Sequence, residues 1–397
     1  MRVALVIQKL AGLHGGAERV VIDLAKALSA RGYQLTIVTY EPSTGAPGFE
    51  SEDVPVVNIF PPILRSVVRG RGTRLDNSER FISDHGNSAA LARLKWHATH
   101  GLFARRLTRW LRRNPHDVIV GFLPPAISAV ALAGRALGSE RPRVVASTHS
   151  VPSIDFGESE RWDQNPIARR TNLWALGAAD VVTVLQPDFI DELPGDARTH
   201  AVVVPNAVQR LPSVAQRGPR NQILGVGRLS ELKRYDVLVE AFARIAQEFP
   251  AWDLTICGEG DERDRLQAIV ERRGLSDRIS LPGAVADIGR HYDEARILGH
   301  PAVLEGFGLA VAEAILHGLV VIASSSCSGV DRLIEPEVTG LLVAEGDDPV
   351  AAFAAALRQL IESPPPEDVR EEGEVRLREW LDPERITNQW ERILHAY

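Results

Sequence analysis

Two positive charges and two carboxylates stand at spacings that suit the binding of a diphosphate and of hydroxyl groups beside it. Arg228 and Lys233 lie in one loop after an apolar run, and two cations in one loop can neutralise the two phosphates of a leaving group. Glu305 lies in a glycine-rich loop, and Glu313 lies in the helical pattern that follows. An ordinary surface ion pair is the alternative interpretation of each cation.

Glycines mark the places where the backbone can approach such a ligand. Gly15 and Gly16 separate the first apolar run from the first helical pattern, and Gly308 and Leu309 precede the helical pattern that carries Glu313. Free N–H groups at the start of a helix attract anions. The first loop lacks the G-x-G-x-x-G pattern of a nicotinamide-dinucleotide site. A tight structural turn explains two adjacent glycines equally well.

Length and composition predict a folded protein of two domains. The chain has 397 residues, of which 45% are hydrophobic and 24% charged, which excludes a disordered or fibrous protein. Cys257 and Cys327 have no Cys or His neighbour at metal-ligand spacing, so we expect neither a disulfide framework nor a metal site. The uncharged stretch 118–134 is interrupted by Pro124 and Pro125, and it predicts a strand and a helix rather than a membrane span. With no signal peptide, the cytoplasm is the expected compartment.

Charge is concentrated in one part of the first half. The net charge of −7 argues against nucleic-acid binding, yet residues 54–113 are strongly basic. Within 91–113 aromatic residues alternate with arginines at helical spacing: Trp96, Phe103, Arg105, Arg106, Arg109 and Trp110. This segment is either a helix packed on its own domain or an interfacial helix attracted to anionic lipid, at ~1 kcal/mol per basic residue. A second basic, apolar segment at 59–71 favours the interpretation as an interfacial helix.

The order of apolar runs and helical patterns predicts an α/β fold in both halves. Strand, glycine loop, helix and strand follow one another from Val3 to Thr39, which is typical of a parallel, doubly wound sheet. After a polar stretch, 209–221, the alternation begins again at Ile223. Two such Rossmann-like domains facing one another would place the carboxyl ends of both sheets against one cleft, where such sheets bind ligands.

Six separated motifs resemble those of glycosyltransferase family 4, a family of retaining glycosyltransferases with the GT-B fold. The run 300–313 resembles its E-x7-E motif, and Arg228 with Lys233 matches its cation pair. The resemblance covers nearly the whole chain. The other matching segments are Gly15-Gly16-Ala17-Glu18, Val204-Pro205-Asn206-Ala207-Val208, Pro282-Gly283 with Asp287-Ile288, and Thr339-Gly340-Leu341-Leu342-Val343.

The resemblance implies a role for each matching residue. Arg228 and Lys233 would neutralise the diphosphate, Glu305 would bind hydroxyls of the donor sugar, and Glu313 would hold the ribose hydroxyls. His149 matches the histidine on the acceptor and donor-sugar side, and it completes the catalytic set with Arg228, Lys233 and Glu305. The other donor-binding residues would be Gly15, Gly16, Gly227, Gly258, Gly283, Ile288, Phe307, Gly308 and Leu309.

The family also implies the domain division. Its last helix commonly crosses back to the first domain, and residues 380–390 resemble that part of the chain. We therefore expect an acceptor-side domain at 1–208 with about 381–397, and a nucleotide-sugar domain at 209–380.

Four departures from the family pattern bear on donor specificity. Arg234 stands where many relatives have Gly, Ala207 replaces a common Gly, and Ala302 replaces a usual Ser. The turn 328–332 also departs from the frequent Gly-x-x-Glu. The cations and both glutamates remain, so catalysis is expected to persist.

The expected activity is transfer of a sugar, with retained configuration and without a metal, from a nucleotide diphosphate sugar to a lipid-linked glycan or lipid at the cytoplasmic membrane face. UDP is preferred over GDP, and no cofactor is expected besides this co-substrate. The alternatives are a GDP-mannose donor, a soluble acceptor, a silent nucleotide-sugar-binding protein and, from the fold alone, an oxidoreductase.

Overall fold

The chain folds into two compact units. The computed structural model describes residues 1–11, 15–43, 54–62, 89–157, 165–213, 218, 220–344 and 346–396. The first unit comprises Met1–Pro205 with Ile386–Tyr397, and the second comprises Asn206–Arg385. The observed division thus lies three residues before the expected one.

The first unit contains a seven-stranded parallel sheet in the order β3-β2-β1-β4-β5-β6-β7. Its central strand β4 is buried along its whole length, because helices cover both faces of a parallel sheet. The register pairs Leu5 with Ile37 and with Val120. The strands are β1 (Arg2–Ile7), β2 (Gln34–Thr39), β3 (Val56–Asn58), β4 (Val118–Phe122), β5 (Arg143–Ser147), β6 (Val181–Val184) and β7 (Ala201–Val203).

Helices connect these strands as the alternating pattern predicts. A short π-helical turn, His97–Gly101, joins the second helix to the third. The described helices of this unit are α1 (Gly16–Ala30), α2 (Ala89–Trp96), α3 (Leu102–Arg113), α4 (Leu123–Leu137), α5 (Pro152–Phe156), α6 (Pro166–Ala178) and α7 (Gly195–Arg198). The uncharged stretch 118–134 forms β4 and most of α4, which confirms the predicted strand and helix.

The second unit contains a six-stranded parallel sheet in the order β10-β9-β8-β11-β12-β13. The strands are β8 (Gln222–Val226), β9 (Asp253–Cys257), β10 (Ile279–Gly283), β11 (Ile297–His300), β12 (Val320–Ser324) and β13 (Gly340–Val343). The helices in this part of the chain are α8 (Tyr235–Ile245), α9 (Arg263–Arg272), α10 (Ile288–Glu294), α11 (Leu309–Leu316), α12 (Pro349–Glu362), α13 (Glu367–Trp380) and α14 (Pro383–His395), and most of α14 belongs to the first unit.

The strand order of each sheet reverses beside its first strand. In the second sheet the reversal lies between β8 and β11, and ligands of doubly wound sheets bind at the carboxyl ends of the strands there. Arg228 follows β8, and Glu305 follows β11. The fold therefore brings the loops of these two residues to the same edge of the sheet.

The last helix returns to the first unit, which confirms the expected crossing. Trp390 on α14 is 4% exposed and packs near Phe122, with ring centroids 6.3 Å apart. Arg31, which follows α1, donates hydrogen bonds to Glu391 at 2.5 Å and to Asn388 at 2.6 Å.

Of the residues named for contact with lipid within 91–113, Phe103 was assigned wrongly. Phe103 is 1% exposed and stacks on Tyr40 with ring centroids 4.6 Å apart. Leu107 and Leu111 are buried beside it. The apolar face of α3 therefore packs on its own unit, and Phe103 belongs to no surface patch. Most of the second basic segment, from residue 63 onward, lies outside the described residues.

Replacing Trp390 with alanine tests how firmly α14 is held. We expect Trp390→Ala to lower the free energy of unfolding by about 3–5 kcal/mol, because a large buried side chain is lost and a cavity remains. Glu391→Gln is the control, since a partly exposed ion pair contributes about 0–1 kcal/mol. Urea denaturation of the three proteins measures the difference, and equal losses in both variants would contradict the expected anchoring.

Candidate functional site

Three loops at the carboxyl edge of the second sheet are joined by backbone hydrogen bonds. The N–H of Gly227 donates to the carbonyl of Cys257 at 3.0 Å, and the N–H of Gly258 donates to the carbonyl of Gly283 at 2.8 Å. A Cβ on Gly258 would lie 1.9 Å from the carbonyl oxygen of Gly227, and its φ of +152° also disfavours other residues. The loops after β8, β9 and β10 can therefore meet only with glycine at this position.

Lys233 and Glu305 contact one another directly. The Lys233 Nζ atom forms an ion pair with Glu305 Oε1, although the two residues are 72 positions apart in sequence. Their side chains are only 19% and 17% exposed. Arg228 is exposed, and within the described part of the chain its guanidinium pairs with no carboxylate. The cation and the carboxylate predicted for one site thus meet, with a further positive charge in the same loop.

His300, the first residue of the motif 300–313, also belongs to this cluster, although the motif assigns it no role. It ends β11 and is 1% exposed. Its Nε2 atom lies 3.0 Å from Glu305 Oε1, at an angle outside hydrogen-bond geometry. Burial, with the charge of Lys233, holds the pKa of His300 well below its usual range, so the ring is neutral beside the ion pair. A histidine ending an otherwise apolar strand was the available signal.

The second glutamate lies on the helix after Glu305. Gly308 precedes α11 with φ 79° and ψ 50°, and a Cβ there would lie 2.5 Å from Val330 Cγ1. The backbone bonds of the helix begin at Val311, whose N–H donates to the carbonyl of Gly308 at 2.9 Å. Glu313 is 4% exposed and accepts a hydrogen bond from the hydroxyl of Tyr292 at 3.0 Å. Tyr292 was not found from the sequence.

Ile288 and Phe307 were also predicted to bind the donor. Ile288 begins α10, where the Asp287 side chain accepts from the N–H of Arg290 at 2.9 Å. Phe307 is 3% exposed, and its ring centroid lies 6.4 Å from that of Trp380. Its side chain thus belongs to the core of the second unit.

Arg234, which departs from the family pattern, has an unusual backbone conformation. Arg234 precedes α8 with φ 49° and ψ 38°, which is the left-handed region that favours glycine. The structure therefore explains why glycine is common here in relatives, and it shows that this chain carries an arginine in a sparsely populated conformation next to Lys233.

In the first unit, His149 lies two residues beyond β5. Thr183 donates to Ser147 Oγ at 2.8 Å, and Ser147 Oγ lies 3.0 Å from His149 Nε2. When the serine hydroxyl donates to Nε2, the proton of the neutral ring is on Nδ1. The buried Nδ1 atom has no hydrogen-bond partner among the described residues. Burial lowers the pKa of His149 to about 4, so this ring offers an N–H donor at neutral pH.

Glu41 is a second residue that sequence reasoning missed. It follows β2, is 5% exposed, and accepts hydrogen bonds from the N–H of Leu10 at 3.0 Å and of Ala11 at 3.2 Å. Burial raises its pKa, against the lowering effect of these hydrogen bonds. Glu41 thereby fixes the chain just before the first glycine loop. Gly15 and Gly16 begin α1, whereas residues 12–14 lie outside the described residues.

His149 should make stability depend on pH. Its pKa is about 4 in the folded protein and about 6.5 in an unfolded chain, so the unfolded state binds more protons between these values. The free energy of unfolding should therefore fall as pH falls from about 6.5 to about 4, and His149→Asn should reduce that fall. Urea denaturation at several pH values measures it, with His97→Asn, at an exposed position, as the control. A slope in His149→Asn equal to that of the unchanged protein would contradict the assignment.

Two family descriptions together match residues 14–376. Residues 211–376 match "Glycosyl transferases group 1", and residues 14–210 match "Glycosyltransferase Family 4". None of the helices in the described ranges is long and apolar enough to cross a membrane.

Individual relatives agree with this assignment. An uncharacterised glycosyltransferase of Haemophilus influenzae is 27% identical over 172 residues, which are 43% of this chain, and the chain spans 48% of that relative's length. A D-inositol 3-phosphate glycosyltransferase of Geodermatophilus obscurus is 28% identical, covering 88% of this chain and 78% of the relative. Other relatives carry names from polysaccharide and lipopolysaccharide biosynthesis.

A solved structure, Anabaena HepE in complex with UDP and glucose, covers all of this chain with a TM-score of 0.73 and 19% identity, a likeness that shows the fold. The chain therefore belongs to the group 1 glycosyltransferase family, of the family 4 type, and has two Rossmann-like sheets of the GT-B fold.

Proposed function

We propose that the protein is a retaining, metal-independent glycosyltransferase that moves a sugar from a UDP-sugar to a lipid-linked glycan or lipid at the cytoplasmic face of a membrane. The observation that carries this proposal is the contact between Lys233 and Glu305 beside the exposed Arg228. Cleavage of a sugar–phosphate bond leaves negative charge on the diphosphate, which fixed cations stabilise. Glu305 would accept hydrogen bonds from hydroxyls of the same donor sugar.

The other residues of the second unit would hold the nucleotide. The first N–H groups of α11 would face a phosphate or sugar oxygen, since a helix N-terminus favours negative charge. Glu313, held by Tyr292, would accept hydrogen bonds from the ribose hydroxyls. In the first unit, the Nδ1–H of His149 would donate to a sugar hydroxyl.

Retention would follow from attack on the face that the diphosphate leaves. The acceptor oxygen forms the new bond to the anomeric carbon, the bond to the diphosphate oxygen breaks with its electron pair, and the acceptor proton passes to that departing oxygen. A double displacement would instead need a carboxylate nucleophile against the anomeric carbon. The Glu305 carboxylate forms an ion pair with the Lys233 ammonium. It would therefore bind the donor sugar and would not attack its anomeric carbon.

UDP is the proposed nucleotide of the donor. A protein of the same fold is described in complex with UDP and glucose, whereas a relative from Rhizobium leguminosarum bears the name of a lipopolysaccharide core mannosyltransferase, which keeps a GDP-mannose donor as the competing candidate. Transfer to a soluble acceptor, and nucleotide-sugar binding without catalysis, also compete with the proposal.

Thermal unfolding in EDTA with UDP, GDP, ADP or NADH tests the donor. A ligand at about 100 times its Kd stabilises the folded protein by ~2.7 kcal/mol, so UDP should raise the unfolding temperature and NADH should not. Stabilisation by GDP alone would replace UDP by GDP in the proposal. Stabilisation by NADH alone, or by none of the four, would contradict a nucleotide-sugar site.

Removing either cation tests the leaving-group role. Arg228→Ala and Lys233→Ala should each lower kcat by roughly 10² or more, as loss of one transition-state hydrogen-bond donor does. Steady-state kinetics measure the loss, and proton NMR of the product reports whether the anomeric configuration is retained. Arg234→Ala is the neighbouring control. Near-normal kcat in both test variants, or a product with inverted anomeric configuration, would contradict the proposed mechanism.

The arginines of α3 support contact with anionic lipid. Arg105, Arg109, Arg112 and Arg113 are exposed and line a groove of about 570 Å³ with Thr108 and Ala136. Within the described residues none of the four pairs with a carboxylate. Like charges one turn apart repel by about 0.2–0.5 kcal/mol per pair, so this face suits an external anion. Trp96 is partly exposed, and Trp110 packs on His116 with ring centroids 4.9 Å apart.

Vesicle flotation tests this contact. The protein should float with phosphatidylglycerol-containing vesicles at low salt, and replacement of the four arginines by glutamine should abolish flotation. The control replaces four paired, at least partly exposed arginines of the second unit, Arg244, Arg263, Arg358 and Arg376, which changes the net charge equally. Equal flotation of both variants, or flotation with neutral vesicles, would contradict electrostatic attachment.

A further inference from the structure

Glu313 is connected through buried side chains to the segment 210–213, which follows the first unit in the chain. Its carboxylate accepts the hydrogen bond from the hydroxyl of Tyr292 at 3.0 Å, and Tyr292 is 0% exposed. The ring of Tyr292 stacks on that of His317, with centroids 5.2 Å apart and an angle of 29°. The position of the carboxylate therefore depends on where the two rings lie.

His317 is held by two partners of different kinds. The backbone N–H of Leu211 donates to His317 Nε2 at 3.0 Å, and His317 Nδ1 lies 2.7 Å from Asp293 Oδ1. Since a backbone N–H can only donate, Nε2 carries no proton and Nδ1 donates to the carboxylate. The ring is therefore neutral, in one tautomer, and fixed between the segment and α10.

Asp293 receives two more contacts from the same segment. Arg210 Nη2 donates to its Oδ1 atom at 2.8 Å, and the hydroxyl of Ser213 donates to the carboxylate. Burial alone would raise the pKa of Asp293, but the hydrogen bonds from Ser213 and His317 and the charge of Arg210 bring it below the usual value. A Cβ on Gly289 would lie 2.5 Å from the Pro212 carbonyl oxygen, so the segment lies directly on α10.

We propose that Tyr292, His317 and Asp293 are positioning residues that set nucleotide affinity by coupling the Glu313 carboxylate to the seating of residues 210–213. The proposal rests on the nucleotide-binding role proposed for Glu313. When the segment is seated, His317 and Tyr292 hold the carboxylate in the orientation that binds two ribose hydroxyls. When it is released, the histidine loses its backbone partner and the tyrosine loses its stacking position.

Calorimetric titration with UDP, and with GDP as the second probe, tests the coupling by a double-mutant cycle. Tyr292→Phe should weaken binding about tenfold through loss of the hydrogen bond to Glu313, and Arg210→Gln about threefold. The double variant should bind no more than about twofold weaker than Tyr292→Phe, since both changes act through one pathway. Arg220→Gln is the matched control, because Arg220 pairs with Glu294 on the same helix but contacts neither Asp293 nor His317. It should bind like the unchanged protein.

The outcomes separate this inference from the proposed function. Glu313→Ala should lose nucleotide binding. If the unchanged protein binds neither UDP nor GDP, the proposed function is wrong, and the coupling is wrong with it. Binding by the unchanged protein, with normal affinity in Tyr292→Phe and Arg210→Gln, overturns the coupling alone. Fully multiplicative losses in the double variant, or a lower unfolding temperature with unchanged affinity, would also overturn it, because a merely structural role predicts these results.

Discussion

Close backbone contact between the loops after β8, β9 and β10 is the constraint on which the candidate site depends. Gly258 lies against the carbonyl of Gly227, and its N–H is bound by the carbonyl of Gly283. Because these loops cannot shift separately, the loop of Arg228 and Lys233 has a fixed height above the sheet. The ion pair then joins this loop to Glu305 in the loop after the neighbouring strand β11, at the point where the strand order reverses. Backbone packing thus determines the positions of the Arg228 and Lys233 charges.

The sequence predicted the elements better than their contacts. Continuous apolar strands such as 118–122 identify a parallel sheet, and the family resemblance orders the motifs. It does not follow from spacing that Lys233 touches a residue 72 positions away, since the crossover that brings them together is a property of the whole sheet. Tyr292 and Glu41 were missed because each acts through hydrogen bonds to residues distant in sequence. Phe103 was misplaced because helical periodicity gives an apolar face but not what covers it.

The arginines of the chain divide into two kinds by their surroundings. Those of the second unit commonly pair with a carboxylate, as Arg278 does with Asp253 at 2.7 Å and Arg376 with Glu335 at 2.6 Å. Such pairs add little to stability but cancel the charge of that surface. The exposed arginines of α3 have no described partner of this kind, and Arg228 resembles them in the candidate site. The positive charge of α3 and of Arg228 is therefore available to an external anion.

The return of α14 to the first unit has a consequence for biosynthesis. Residues 386–397 complete a unit whose other residues end at 205, and they carry Trp390, which is 4% exposed. On the ribosome the whole second unit is translated before they emerge. Until then the first unit lacks an apolar contact beside Phe122 and the partners of Arg31. The nascent first unit therefore stays partly uncovered until its last helix has been synthesised.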